Sequence, residues 1–132
     1  MKKHTITSAY RQFYVADVGL NPPAPEEWND EHVRQRYNAD KNIVALCPEG
    51  DLTARIICIP PGKSYENEKE PEFEVNTQVT IETGKLGVME WPWEKIEKYN
   101  VDPGVYFIRF SGFNLAGVDD QEDYYIVEFK RA

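Results

Sequence analysis

Glutamate occupies positions 66, 68, 70, 72 and 74 of a 132-residue chain, inside the run ENEKEPEFE. In an extended backbone side chains alternate faces, so residues two apart project the same way at intervals of roughly 7 Å. Five carboxylates in register form a ruler whose pitch is of the same order as that of phosphates along a nucleic-acid strand, about 3.4 Å per nucleotide before winding is counted. Such a row can occupy a protein surface built to hold DNA by competing with phosphates for Lys and Arg. The same residues also read as solvated charge that keeps an edge strand from pairing with other molecules. The alternation continues downstream: Phe73, Val75, Thr77, Val79 and Ile81 face one way, and Glu72, Glu74, Asn76, Gln78, Thr80 and Glu82 face the other. This predicts a strand that covers a core on one side only.

Other chemistry-bearing residues lack a constellation. Pro60–Pro61–Gly62–Lys63–Ser64 has the ending of a phosphate-binding loop, but that motif needs glycine where this chain has Ile57 and a helix where an acidic stretch follows. It reads as a turn. The two histidines are His4, expected in a frayed N-terminus, and His32, on a short helix among acidic neighbours. Ser8, Ser64 and Ser111 lie in no nucleophile elbow, and Cys47 and Cys58 form neither a CxxC pair nor a zinc spacing with histidine. Asp119, Asp120, Glu122 and Asp123 cluster in an expected loop; hard oxygen ligands there could hold calcium, though the spacing matches no calcium loop, so they read as loop charge or as a second part of an acidic surface. Acids abound, and nothing selects two of them as a glycosidase pair. The residues therefore argue for a protein without catalysis, cofactor or assigned metal. One alternative stays open: Trp91, Trp93, Tyr99, Tyr106, Tyr124 and Tyr125 could line a carbohydrate or other small-ligand face, or serve the core.

Composition sets the electrostatic frame. Asp and Glu number 23 against 15 Lys and Arg, for a net charge of −8. That balance repels nucleic acid and anionic membranes and favours a basic protein as partner, although solubility alone also explains it. The opening MKKHTITSAYRQF has basic residues without the apolar run of a leader, and no stretch approaches the eighteen or so apolar residues of a membrane helix, so a cytoplasmic location is expected. Both cysteines sit in apolar strand-like runs, NIVALC and RIICI, and are expected to be reduced and unpaired.

The positioning elements are strands. Period-two patterning recurs around Ile6 to Val18, Asn42 to Cys47, Thr53 to Ile59, Phe73 to Ile81, Lys85 to Trp91, Gly104 to Phe110 and Tyr124 to Lys130, separated by PEGD, PPGK, ETGK and DPG turns. The strand opened by Gly104 carries aromatic and branched residues on both faces and reads as central; the C-terminal one reads as half-exposed. Helix signals are brief: Asn29 or Asp30 caps DEHVRQRY, and Pro92 with WEKIEKY predicts one or two turns. About seven to eight strands without a long amphipathic helix predict an all-β fold, a two-sheet antiparallel β-sandwich spanning residues 1–132 as a single domain.

AYRQFYV, PPAPEEWNDEHVRQRY, NIVALC and the later DPGVYF together resemble the competence protein J family, the DNA-entry nuclease inhibitors. The resemblance rests on Tyr10, Gln12, Phe13 and Val15, on Pro22 and Pro23, on Trp28 with Asp30 and Glu31, on Tyr37, and on Pro103, Gly104 and Tyr106. It covers most of the chain through short, mainly structural motifs. Before Tyr37, where the family pattern has glycine, this chain has Arg36, and the acidic stretch of residues 66–74 has no match. The resemblance implies a small acidic protein that binds a competence-associated nuclease and suppresses its DNA cleavage; an immunity protein that neutralises a nuclease toxin follows the same physical logic. In either reading Glu66, Glu68, Glu70, Glu72 and Glu74 are the expected partner-binding residues, with Tyr65 or Trp93 as the apolar anchor.

Overall fold

The computed structural model describes residues 2–7, 12–25, 29–48, 53–63, 70–90, 94–113 and 124–132. Ten strands and one helix run through them: β1 (Lys2–Thr7), β2 (Phe13–Asp17), α1 (Asp30–Gln35), β3 (Tyr37–Ala39), β4 (Ile43–Leu46), β5 (Thr53–Cys58), β6 (Phe73–Ile81), β7 (Lys85–Glu90), β8 (Glu94–Asn100), β9 (Gly104–Phe113) and β10 (Tyr124–Arg131). They form two five-stranded sheets, ordered β1-β5-β10-β9-β6 and β3-β4-β2-β7-β8. The fold is an all-β sandwich, antiparallel throughout except where β10 pairs with β5 in parallel.

The inward parity of each strand supplies the core. Phe13, Val15, Val44, Leu46, Leu86 and Val88 from one sheet meet Ile56, Val79, Ile81, Ile108, Phe110, Tyr125 and Val127 from the other, nearly all without solvent contact. An aromatic cluster joins the layers: Phe110 packs edge-on against Phe13 and Phe73, both at 5.3 Å, and stacks on Tyr125 at 5.6 Å. Such pairs contribute about 0.5–1.5 kcal/mol each beyond their buried area. A second cluster, Tyr14, Ala16, Ile43, Ala45 and Met89, lies on the outer face of the β2-containing sheet with Val18 and Ala24 packed on it.

The turn between β6 and β7 is fastened by a buried acid. Asp17, at the end of β2, accepts hydrogen bonds from the backbone N–H of Glu82 (2.7 Å), Thr83 (3.0 Å) and Gly19 (3.2 Å), and from the Thr83 hydroxyl. Burial alone would raise the pKa of this carboxyl, but the four donors outweigh it and hold the pKa below its ordinary value. Gly84 completes the turn at φ +77°, where an added Cβ would stand 2.8 Å from the Val101 carbonyl.

Several expectations are corrected. Residues Glu94–Asn100, read as helical turns after Pro92, are strand β8 on the edge of the second sheet, paired with β7. Exposure alternates there, Lys98 and Asn100 facing solvent and Tyr99 half-buried against Phe129, so cross-strand pairing overrides the helical leaning of Glu and Lys. The single strand expected over Ile6 to Val18 is two strands in opposite sheets. His4 is not in a frayed end but in β1, opposite Ile56 of β5. The C-terminal strand β10 is as central as β9. The Asn29 cap stands as expected: its side chain accepts from the His32 N–H at 2.9 Å, and the Asn29 N–H donates to His32 Nδ1 at 3.3 Å.

Candidate functional site

The acidic alternation leads onto an open sheet edge. Strand β6 pairs with β9 over nine residues, from Phe73 opposite Gly112 to Ile81 opposite Gly104, and among the described residues no strand pairs with its other side. Glu70 and Glu72 are exposed ahead of it, and Glu74, Asn76 and Gln78 are exposed along its outer face. Val75, Val79 and Ile81 are buried on the opposite parity. The Glu72 N–H donates to the Gly112 carbonyl at 2.7 Å, which aligns the incoming chain with the sheet.

Beside this edge, the outer face of β9 and β10 carries a second feature. Arg109 donates to both carboxylate oxygens of Glu128, its cross-strand neighbour, at 2.6 and 2.7 Å from Nη2 and 3.2 Å from Nε. Hydrogen bonding to Glu128 holds the guanidinium charged, and the Glu74 charge adds to that. Phe107, two residues before Arg109 on β9, is 48% exposed. These groups line a concavity of about 1040 Å³ together with Lys63, Asn76, Gln78 and Lys130. An exposed aromatic ring thus stands beside an Arg–Glu pair, two lysines and two amides, with Glu128 as the one carboxylate among the described lining residues.

Of the residues singled out in the sequence, Glu70, Glu72 and Glu74 are exposed, Glu74 on β6 and the other two just before it. Glu66, Glu68, Tyr65 and Trp93 lie outside the described residues, as do Trp91 and the Asp119 to Asp123 cluster. Among the tyrosines considered for a ligand face, Tyr106 and Tyr125 are buried, Tyr99 packs on Phe129, and Tyr124 stacks on Phe113 at 4.8 Å. The Tyr106 hydroxyl donates to the Asp102 carbonyl at 2.5 Å, so its polar tip is engaged too. Phe107 is the aromatic that sequence reasoning passed over. Its signal was its parity in VYFIRF: Tyr106, Ile108 and Phe110 point inward, which leaves Phe107 and Arg109 outside.

The remaining candidates resolve into structural roles. Gly62 sits at φ 83°, and the Lys63 N–H donates to the Pro60 carbonyl at 3.1 Å, the turn expected of PPGK. Cys47 and Cys58 are unpaired; burial pushes their thiols up to about 11 and about 12, which keeps them protonated and poorly nucleophilic. His32 is spent on the helix cap. No group of three His, Cys, Asp or Glu among the described residues could hold a metal ion, and no described helix is long and apolar enough to cross a membrane. Arg36 adopts φ 69°, the left-handed conformation that glycine favours, and places its guanidinium 4.2 Å from the Phe73 ring centroid.

No protein-family model matches this sequence, and no curated protein matches it. Solved structures do. ComJ from Bacillus subtilis, an inhibitor of the DNA-degrading activity of NucA, superposes with a TM-score of 0.81 over 100% of this chain and 96% of its own, at 17% sequence identity. The product of crocagin biosynthetic gene J superposes at 0.53 over 99% of both chains, at 13% identity. Ten strands in these two sheets, matched end to end at that level of superposition, give this chain a ComJ-like fold.

Proposed function

We propose that this protein is a non-enzymatic inhibitor that binds a nuclease through the acidic approach to β6 and the adjoining face around Phe107. The observation that carries the reading is the end-to-end likeness to a nuclease inhibitor in a chain whose described carboxylates Glu70, Glu72 and Glu74 are all exposed at and just before the start of β6. Glu66 and Glu68 continue that spacing in the sequence and belong to the same proposal. The partner is basic, the encounter takes place in the cytoplasm, and the carboxylates stand in for DNA phosphates before its Lys and Arg side chains. Charges at a rim act mainly on association, whereas a desolvated aromatic acts on dissociation. Steering therefore falls to the glutamates and residence time to Phe107. An immunity-type partner, a toxin nuclease, satisfies the same chemistry.

The test is digestion of plasmid DNA by NucA and by a toxin DNase, each with excess purified protein. Suppression of either supports the reading, and undiminished digestion by both overturns it. In the responsive case, Glu70→Gln, Glu72→Gln and Glu74→Gln combined should slow association by roughly three- to tenfold and flatten its dependence on salt.

A further inference from the structure

The open side of β6 has a chemical format of its own. The Thr80 N–H donates to the Lys41 carbonyl at 2.8 Å, away from β9. Because backbone groups alternate direction along a strand, the N–H and C=O groups of Glu74, Asn76 and Gln78 face the same open side as those of Thr80, while Phe73, Val75, Thr77 and Val79 face the ladder with β9. No described residue supplies a backbone partner to Glu74, Asn76 or Gln78. Three donors and three acceptors are thus presented over about 14 Å of strand.

The chain itself shows what docks there. At Thr80 the Lys41–Asn42 segment adds to the edge: the Lys41 carbonyl accepts from the Thr80 N–H, and Asn42 Nδ2 donates to the Thr80 carbonyl at 2.9 Å. The docked segment brings a cation to an acid, with Lys41 Nζ 3.8 Å from Glu82 Oε2. Backbone pairing and a lysine beside a glutamate occur together at this one closed position. The open stretch repeats the acceptor half of the arrangement, with Glu74 on the strand and Glu70 and Glu72 ahead of it.

We propose that the Glu74–Gln78 edge of β6 binds an extended cationic segment of a partner protein by β-strand addition, with Lys or Arg at alternate positions beside Glu70, Glu72 and Glu74. The inference rests on the reading of this surface as a protein-binding one and goes further in stating the mode and the partner's local form. A second copy of this chain is disfavoured as occupant. Antiparallel self-pairing centred on Asn76 sets Glu70 opposite Glu82 and Glu72 opposite the already engaged Thr80, and in-register parallel self-pairing sets each glutamate against its twin.

Amide hydrogen exchange of the full chain, read by NMR, tests this with two capped heptapeptides, alternating Lys-Thr and alternating Glu-Thr, at concentrations up to about 1 mM, and with NucA. With the cationic peptide, exchange at Glu74, Asn76 and Gln78 should slow at least about tenfold, while the laddered amides of Val75 and Thr77 stay as they are and the acidic peptide has no effect. No slowing at those three amides overturns the proposal. So does protection that rises with protein concentration alone, which assigns the edge to self-association. Asn76→Pro and Gln78→Pro each remove an outward N–H without touching the β9 ladder, a place where edge strands tolerate proline, and each should abolish the protection while leaving the melting temperature within a few degrees. Exchange on the unmodified chain decides the matter even where a proline variant fails to fold. If the unmodified chain and Asn76→Pro suppress NucA equally, the edge inference falls and the inhibitor reading stands; if NucA is not suppressed but the cationic peptide protects the edge, the inhibitor reading falls and the edge inference stands.

Discussion

Replacing Asp17 by asparagine isolates the contribution of one buried charge to the β6–β7 turn. In the native protein Oδ2 accepts from the Glu82 and Thr83 N–H groups and Oδ1 from the Gly19 N–H and the Thr83 hydroxyl. Asparagine can keep its oxygen on Glu82 and Thr83 and turn its amide toward the Thr83 oxygen, but the Gly19 N–H then faces a donor. One bond to a charged acceptor is lost and two more weaken to the neutral kind, an expected cost of about 2–3 kcal/mol. In urea that lowers the midpoint by about 1–2 M. The pH dependence has a definite sign. Because the folded-state pKa is lowered, the carboxylate stabilises the fold above its unfolded value of about 3.9, and that contribution fades as pH falls through the folded value. The gap between wild type and Asp17→Asn should therefore stay constant from neutral pH to about 5 and narrow below about 4. A gap under about 0.5 kcal/mol at neutral pH, or one that widens on acidification, would refute the assignment.

Three further outcomes are expected. Arg36→Ala keeps the left-handed backbone and loses the contact with Phe73, so it should melt below wild type, whereas Arg36→Gly relieves about 1 kcal/mol of strain and should exceed Arg36→Ala by about that amount. Thiol labelling with a disulfide reagent at pH 8 should be slow for both Cys47 and Cys58 in the folded protein and fast after unfolding, because burial pushes the two thiols up to about 11 and about 12; fast native labelling would contradict their placement. Phe107→Ala should leave stability within about 1 kcal/mol and raise the partner dissociation rate about thirtyfold, the scale of a hot-spot residue, as read by surface plasmon resonance.

The sandwich was legible because its central strands obey a two-residue period. Phe73 to Ile81 alternates in the sequence as it does in the fold, and Gly104 does open a strand at the middle of a sheet. What escaped reading was local chemistry overridden by pairing. WEKIEKY is built from helix-favouring residues, yet an edge strand is where Lys and Glu serve to discourage stray association, so β8 shares its composition with a helix. Strand β3 has three residues, too few to display a period. The split of the first strand depends on which sheet each half joins, which is set by partners far along the chain: β5 for β1, and β4 and β7 for β2. At the site, the exposed carboxylates could be read from parity, but the open edge could not. That required knowing that, among the described strands, none follows β6 in the sheet order, a property of topology rather than of any residue. Arg36 illustrates the reverse case, since the departure from glycine noted in the sequence falls on the residue with positive φ, where a ring contact accompanies the strain.

Strand β10 lies between β5 and β9 although it leaves the ribosome after both. Until it arrives, the β1–β5 pair and the β9–β6 pair have no hydrogen-bonded connection to each other within their sheet, and Ile56 and Cys58 lack the neighbours Tyr125 and Val127 that they acquire in the finished layer. Completion of this sheet is thus deferred until residues 124–131 have been made, with two half-sheets waiting for a central stave. A nascent chain stalled short of residue 124 would expose two unsatisfied edges, the kind of surface that holdase chaperones shield.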